Sequence, residues 1–260
     1  MKEKIAEHVK ELFSREKIKG FVALRQNGEH VGPHLFTDPE GLDELSLGDW
    51  KKPGDARYSL VKLLSRLTRQ FPNDTFAILV RGCDERAIRR LAMDNRAHPL
   101  NLERVVPVGF SCPPELAEFC QCSKPWPDAL TAGEPTPGIM VPADDRSPVD
   151  MVQDLEKWSK ISDRCIKCFG CRNICPVCVC QECTIEREVL VPQRELPPSP
   201  SFLMTRAVHM VDRCVFCGLC EQACPANIPL KSMYRFVAKL VGQRTENPAL
   251  PAAGLIQAGY

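Results

Sequence analysis

The sequence predicts a chain in two parts. An α/β N-terminal domain with a small parallel sheet comes first, then a helix-rich C-terminal domain built on two copies of one cysteine loop. Three observations carry this. Apolar runs of strand length alternate with amphipathic helical stretches up to about residue 110. Pro125, Pro127, Pro135, Pro137, Pro142 and Pro148 then follow with little periodicity, which reads as a linker or an extended surface wrap. Beyond them, Cys165-Ile-Lys-Cys168-Phe-Gly-Cys171-Arg-Asn-Ile-Cys175-Pro176 recurs as Cys214-Val-Phe-Cys217-Gly-Leu-Cys220-Glu-Gln-Ala-Cys224-Pro225. The expected boundaries are residues 1–122 for the α/β domain, 123–149 for the linker, 150–242 for the second domain and 243–260 for a small, apolar tail.

The elements follow from local pattern. Ile5, Val9, Leu12 and Phe13 recur at helical spacing, predicting an amphipathic helix over 3–16. Lys19-Gly20 ends it, and Phe21–Leu24 reads as a short buried strand. Residues 28–56 are rich in Gly, Pro and Asp and read as loops. Leu60, Val61, Leu63, Leu64 and Leu67 give a second helix an apolar face over 58–70. The run 76–80 is a strand, 85–93 a helix, and 104–110 another strand ending at Ser111-Cys112. Strand, helix, strand is the pattern of a parallel sheet. Further on, Ser147-Pro148 reads as a helix start, with Met151, Leu155 and Trp158 on one face. Helices are expected at 201–213, where Phe202, Val208 and Met210 are available for packing, and at 228–241.

Composition narrows the function. The 260 residues carry a net charge of +1, which gives no electrostatic case for a nucleic acid or an anionic membrane. No apolar run reaches the ~20 residues that span a bilayer. The N-terminal residues carry early acidic side chains and no apolar signal core. Fifteen cysteines in such a chain point to metal rather than to disulfides. The expectation is a cytoplasmic protein at home where oxygen is scarce.

Each cysteine loop reads C-x2-C-x2-C-x3-C-P, the spacing of a bacterial-type 2×[4Fe–4S] ferredoxin domain. Three thiolates at two-residue intervals wrap one face of a cubane, and the fourth starts a helix that leads away and reaches the other copy's cluster. Cys165, Cys168, Cys171 and Cys224 are therefore paired on one cluster, and Cys214, Cys217, Cys220 and Cys175 on the other. Zinc sites come instead as two C-x2-C pairs without a trailing C-P. Ile166, Phe169, Val215 and Phe216 are expected to keep water from the clusters. His209 lies five residues before a complete cysteine set and reads as a surface or packing residue.

Cys83 and Cys112 fall at the carboxyl ends of two neighbouring strands, the edge where open α/β sheets bind ligands. A helical turn brings Cys120 and Cys122 toward them. By pattern alone these four either hold a third cluster or are buried thiols. Cys178, Cys180 and Cys183 either replace Cys120 and Cys122 around that third site or pack beside a cluster, and packing is the simpler reading because three cysteines do not complete a cubane.

The segments Arg81-Gly82-Cys83-Asp84-Glu85-Arg86-Ala87 and Val108-Gly109-Phe110-Ser111-Cys112, the cysteine pair before Pro125, and the Cys165–Pro176 loop together resemble a known group. They are similar to relatives of the beta subunit of deazaflavin-dependent hydrogenases and formate dehydrogenases that carry a dicluster ferredoxin domain and accompany heterodisulfide-reductase-like complexes. The resemblance runs from about residue 3 to 242. It implies a third [4Fe–4S] cluster on Cys83, Cys112, Cys120 and Cys122, although Cys120-Gln121-Cys122 has one intervening residue where the family's pattern has two. It leaves a bound FAD open: Asp55–Ser59 resembles a segment near the flavin in that family, yet the chain has no glycine-rich phosphate loop. It implies partners among the subunits of a hydrogenase, formate dehydrogenase or heterodisulfide-reductase-like complex. The function expected is relay of single electrons through the clusters, between a flavin or metal subunit and another acceptor. The alternatives are a flavoenzyme that exchanges hydride with a nicotinamide or a deazaflavin, and an iron–sulfur protein whose clusters are only structural.

Overall fold

The structure, a computed structural model, describes residues 1–48, 56–94, 99–139, 151–192, 195–198 and 200–244. The chain divides into two compact units, Met1–Val141 with Cys175–Val179, and Pro142–Ile174 with Cys180–Tyr260.

The first unit is an α/β sheet domain. Helix α1 (Lys2–Ser14) buries Ile5, Val9 and Leu12. Strand β1 (Gly20–Asn27) pairs in parallel with β4 (Phe76–Val80), and β4 with β5 (Val105–Phe110). Helix α2 (Leu60–Gln70) links β1 to β4 within this run, and α3 (Gly82–Ala92) links β4 to β5. Every residue of β4 is buried, as expected of a central parallel strand covered on both faces.

The sheet is mixed, not purely parallel, and this corrects the sequence expectation. Its order is β2-β1-β4-β5-β6, with β3 also on β1. Strands β2 (His30–Phe36) and β3 (Leu45–Ser46) lie within 28–56, read from sequence as loops, and both run antiparallel to β1. The turn between β1 and β2 has two central residues, with Gly28 first at φ 59°, the backbone that a tight hairpin requires. Pro33 sits in β2, an edge strand where a missing N–H breaks no inner ladder. Strand β6 (Leu130–Ala132) pairs in parallel with β5. It falls inside 123–149, so the first part of the expected linker is a sheet strand. Residues 140–149, including the helix start at Ser147-Pro148, and the tail from 245 lie outside the described residues.

The second unit is helical. It contains α5 (Met151–Ser162), α6 (Gly170–Asn173), α7 (Ser201–Met210), α8 (Leu219–Gln222) and α9 (Leu230–Arg244). Trp158 is buried and its ring lies 5.9 Å from Phe236. Helix α7 packs on α9 through Phe202, Leu203, Ala207 and Met210, with Met233, Tyr234 and Val237 opposite. Val208, read as a packing residue, is 52% exposed, because it lies on the other side of α7.

Candidate iron–sulfur centres

The two cysteine loops share one backbone. In each, the residues two and four positions after the first cysteine are left-handed: Lys167 (φ 54°) and Phe169 (φ 58°) in one, Phe216 (φ 50°) and Gly218 (φ 80°) in the other. Bulky residues avoid this region, and strain of this kind persists where a site over-determines it. Its effect is to turn amides inward. The N–H groups of Lys167 and Gly170 donate to the Cys165 and Cys168 Sγ atoms, both at 3.4 Å. The Phe216 N–H donates to Cys214 Sγ at 3.4 Å. Successive inward amides make a concavity suited to a negatively charged group. The third cysteine of each loop lies within a one-turn helix, α6 or α8, and the fourth follows that helix, whereas the spacing predicts that it starts one.

One pocket joins the loops. It is lined by Cys165, Cys168, Cys171 and Cys224, with apolar walls that include Phe169, Phe202, Leu203 and Ile228. Cys224 thus leaves its own loop and stands with the three cysteines of the other. Its Sγ accepts the Ile228 N–H at 3.5 Å. The Phe169 and Phe202 rings meet edge to face at 5.2 Å. Burial raises the Cys165 pKa, and the neighbouring Cys224 and Cys168 add to this against the Lys167 amide.

Around the second loop, Cys214, Cys217 and Cys220 stand together. Burial and Cys217 push the Cys214 thiol up to about 12, and burial, Cys217 and Cys214 raise Cys220 well above the usual range. Cys175 is buried within the segment that compacts with the first unit. Thiols held this way bind metal only as thiolates, so loading iron releases protons. Among the described residues no three His, Cys, Asp or Glu side chains converge on a single ion. A cubane places its irons at separate corners, so its ligands need not share one point. Four thiols around an apolar pocket, with amides aimed at their sulfurs, fit that group by donor type and by surroundings.

The first unit carries a third set of cysteines, of which Cys112, Cys120 and Cys122 pack together. Cys83 is buried in the first turn of α3, at the carboxyl end of β4, and Cys112 is buried just past the end of β5. Helix α4 (Pro114–Cys120) follows, and Cys112, Leu116 and Cys120 pack together with Cys122 against them. Gly82 permits the close approach of the next segment: a Cβ there would lie 2.3 Å from the Lys124 carbonyl oxygen and 2.7 Å from that of Trp126. The Cys112 N–H donates to Pro125 O at 3.0 Å, which fixes this segment beside β5.

Three arginines face this set. Arg57 Nη1 donates to Cys120 Sγ at 3.1 Å and Arg86 Nη2 to Cys122 Sγ at 3.5 Å. Burial pushes the Cys112 thiol up to about 11, while Arg81 and Arg57 pull it back. Asp84 is buried among the same cations. Burial raises its pKa, and it accepts the Arg81 N–H at 3.0 Å. Arg57 lies in the segment compared above with a flavin-side stretch, and it touches sulfur; Asp55 lies outside the described residues. Sequence spacing gave no sign of Arg57 as a neighbour of Cys120, since 63 residues separate them.

The remaining cysteines are scattered. Cys180 is exposed and accepts from Arg213 Nη1 at 3.4 Å, Cys183 precedes a 3-10 turn at Thr184–Glu186, and the Cys178 N–H donates to Cys175 O at 3.3 Å. His209 is exposed on α7.

Fold and loops define the class of the second unit: an iron–sulfur segment of ferredoxin type. The family described as Fer4, 4Fe-4S binding domain, matches residues 207–229, which contain Cys214, Cys217, Cys220 and Cys224. The chain is also 46% identical over 81 residues to the F420-dependent formate dehydrogenase subunit beta of Methanocaldococcus jannaschii. It is 42% identical over 57 residues to the F420-dependent formate dehydrogenase 1 subunit beta of Methanococcus maripaludis. These matches cover 31% and 22% of this chain, and 21% and 14% of the relatives. Over those stretches the chain is related to the beta-subunit group that its motifs resemble. Among the described residues no helix is long and apolar enough to cross a membrane.

Proposed function

We propose that the chain is an iron–sulfur electron-transfer subunit of an anaerobic, cytoplasmic redox complex. The pocket in which Cys224 joins Cys165, Cys168 and Cys171 carries this reading. Exchange of the fourth ligand between loops holds two centres close together, as single-electron relay needs and a lone structural cluster does not. The ferredoxin spacing assigns Cys175 to Cys214, Cys217 and Cys220. A bound [4Fe–4S] cluster supplies one-electron transfer. The chain's own part is to fix the thiolates, aim the Lys167, Gly170 and Phe216 amides at sulfur, and exclude water with Phe169, Phe202 and Leu203.

A third cluster on Cys83, Cys112, Cys120 and Cys122, within the sheet unit, belongs to the same reading. The packing of Cys112, Cys120 and Cys122 under Arg57, Arg81 and Arg86 supports it, since fixed cations offset the negative charge of a thiolate-ligated cluster. The partners are other subunits of the complex. The names of the relatives favour a formate dehydrogenase that depends on F420.

Iron, acid-labile sulfide and flavin per chain, measured on anaerobically prepared protein, test the proposal. About twelve irons are expected, four for each cubane. About eight would remove the third site and leave those cysteines as thiols. Stoichiometric FAD would replace the relay reading with a flavoenzyme that exchanges hydride.

A further inference from the structure

The two cysteine loops carry several cations, and one of them stands apart by position. Arg206 lies in the middle of α7 and is only 3% exposed. Its Nη2 donates to the backbone oxygen of Cys171 at 2.6 Å, so it is fixed to the first loop. One helical turn later, Met210 O accepts the Cys214 N–H at 2.9 Å, so the same helix leads directly into the second loop. Helix α9 packs both on α7 and on α8, the one-turn helix that carries Cys220, so the helix bearing Arg206 is tied to the second loop from that side as well. The Arg206 Cζ lies 5.9 Å from the centre of the Tyr234 ring, which is itself buried on α9.

The other cations near the loops are local: Arg172 of the first loop pairs with Glu186, and Arg213, itself buried, adjoins Cys214 and donates from Nη1 to Cys180 Sγ at 3.4 Å. Lys167 belongs to the first loop, where its Nζ reaches Pro192 O. Arg235 covers the Phe216 ring of the second at 5.1 Å. Lys231 is held by Glu221, with 3.5 Å between Nζ and the carboxylate.

We infer that Arg206 is a positioning residue shared by both cluster sites, a single buried cation that raises the reduction potentials of the two centres together. It rests on the two-cluster reading above. The physics is that of a fixed charge in a poorly screened interior. An electron arriving at either site adds one negative charge near the guanidinium, with no bond made or broken and no proton moved. The cation stabilises that added charge, and burial keeps water from screening it. Because one side chain serves both sites, its removal moves both potentials in the same direction. That leaves the difference between them nearly unchanged while the pair as a whole shifts.

The test is an anaerobic redox titration followed by electron paramagnetic resonance, on iron-loaded full-length protein. Iron content of the same samples is measured first, so that absence of the clusters is told apart from absence of tuning. In R206M, the reduced-to-oxidised ratio of both centres at a fixed solution potential should fall about tenfold, which is about 59 mV for one electron. R206K keeps the charge but loses the guanidinium bond to the Cys171 carbonyl, and both ratios should fall by less. R235M should move only the centre on Cys214, Cys217 and Cys220. Unchanged potentials in R206M, or a shift at one centre only, would overturn the inference. Should R206M load no iron, R206Q, which also removes the charge, decides by the same criteria, and loss of iron in both R206M and R206Q assigns Arg206 a purely structural role.

Discussion

The two cysteine loops have the same backbone and opposite surroundings. In the first, Ile166 is 56% exposed and Cys168 is at the surface. At the corresponding positions of the second, Val215 is 6% exposed and Cys217 half-buried. Ile166 lines the pocket of the first loop while more than half of it stays open to solvent, whereas Val215 is enclosed. Ligand spacing fixes the shape of the loop, and the chain around it sets how far solvent reaches. Solvent exposure is one of the terms that set a cluster's potential. The proposed relay accordingly has one centre open to exchange and one enclosed, and the open loop is the natural place for electrons to enter or leave.

The largest expected effect tests whether the loops share ligands. Cys224→Ser should remove about four irons per chain, the content of one cubane. The resonance signal lost should be the one that Cys168→Ser loses, while Cys217→Ser should lose a different one. If Cys224→Ser instead matched Cys217→Ser, each loop would hold its own cluster and the pocket would have another use.

A second pair of variants tests the contrast in burial. Val215→Asp places an unpaired carboxylate in the interior and should cost about 3 kcal/mol or more. Ile166→Asp should stay within about 0.5 kcal/mol, as surface substitutions do. Urea-induced bleaching of the cluster absorbance under anaerobic conditions ranks the two. Equal sensitivity would mean that Ile166 is covered in solution.

What was legible from sequence follows the range of the interactions. The cysteine loops and the β1-β4-β5 run depend on local spacing and apolar period, and both could be read directly. The β1–β2 hairpin was hidden because Gly32 and Pro33 break the strand pattern, although a glycine at the first central position, as Gly28 is here, is a hairpin signal in itself. Strand β6 has three residues inside a proline-rich stretch, too few to show a period. The basic residues at the sites were the least legible. Arg57 and Arg206 gain their meaning from sulfur and carbonyl atoms that are 63 and 35 residues away in the chain.

The smallest expected effect concerns how each loop keeps its shape. At its fourth position after the first cysteine, one loop uses Gly218 and the other Phe169, both left-handed. A Cβ on Gly218 would meet only the Lys231 side chain, at 3.6 Å or beyond, so Gly218→Ala is penalised by backbone conformation alone, about 1 kcal/mol. Phe169 already bears that penalty, and its edge contact with Phe202 offsets it by about 0.5–1.5 kcal/mol. Phe169→Gly should therefore relax the backbone and still fail to stabilise the protein, because the ring contact is lost with the strain. A clear gain in urea midpoint for Phe169→Gly would show that the aromatic pair does not hold the first loop in place.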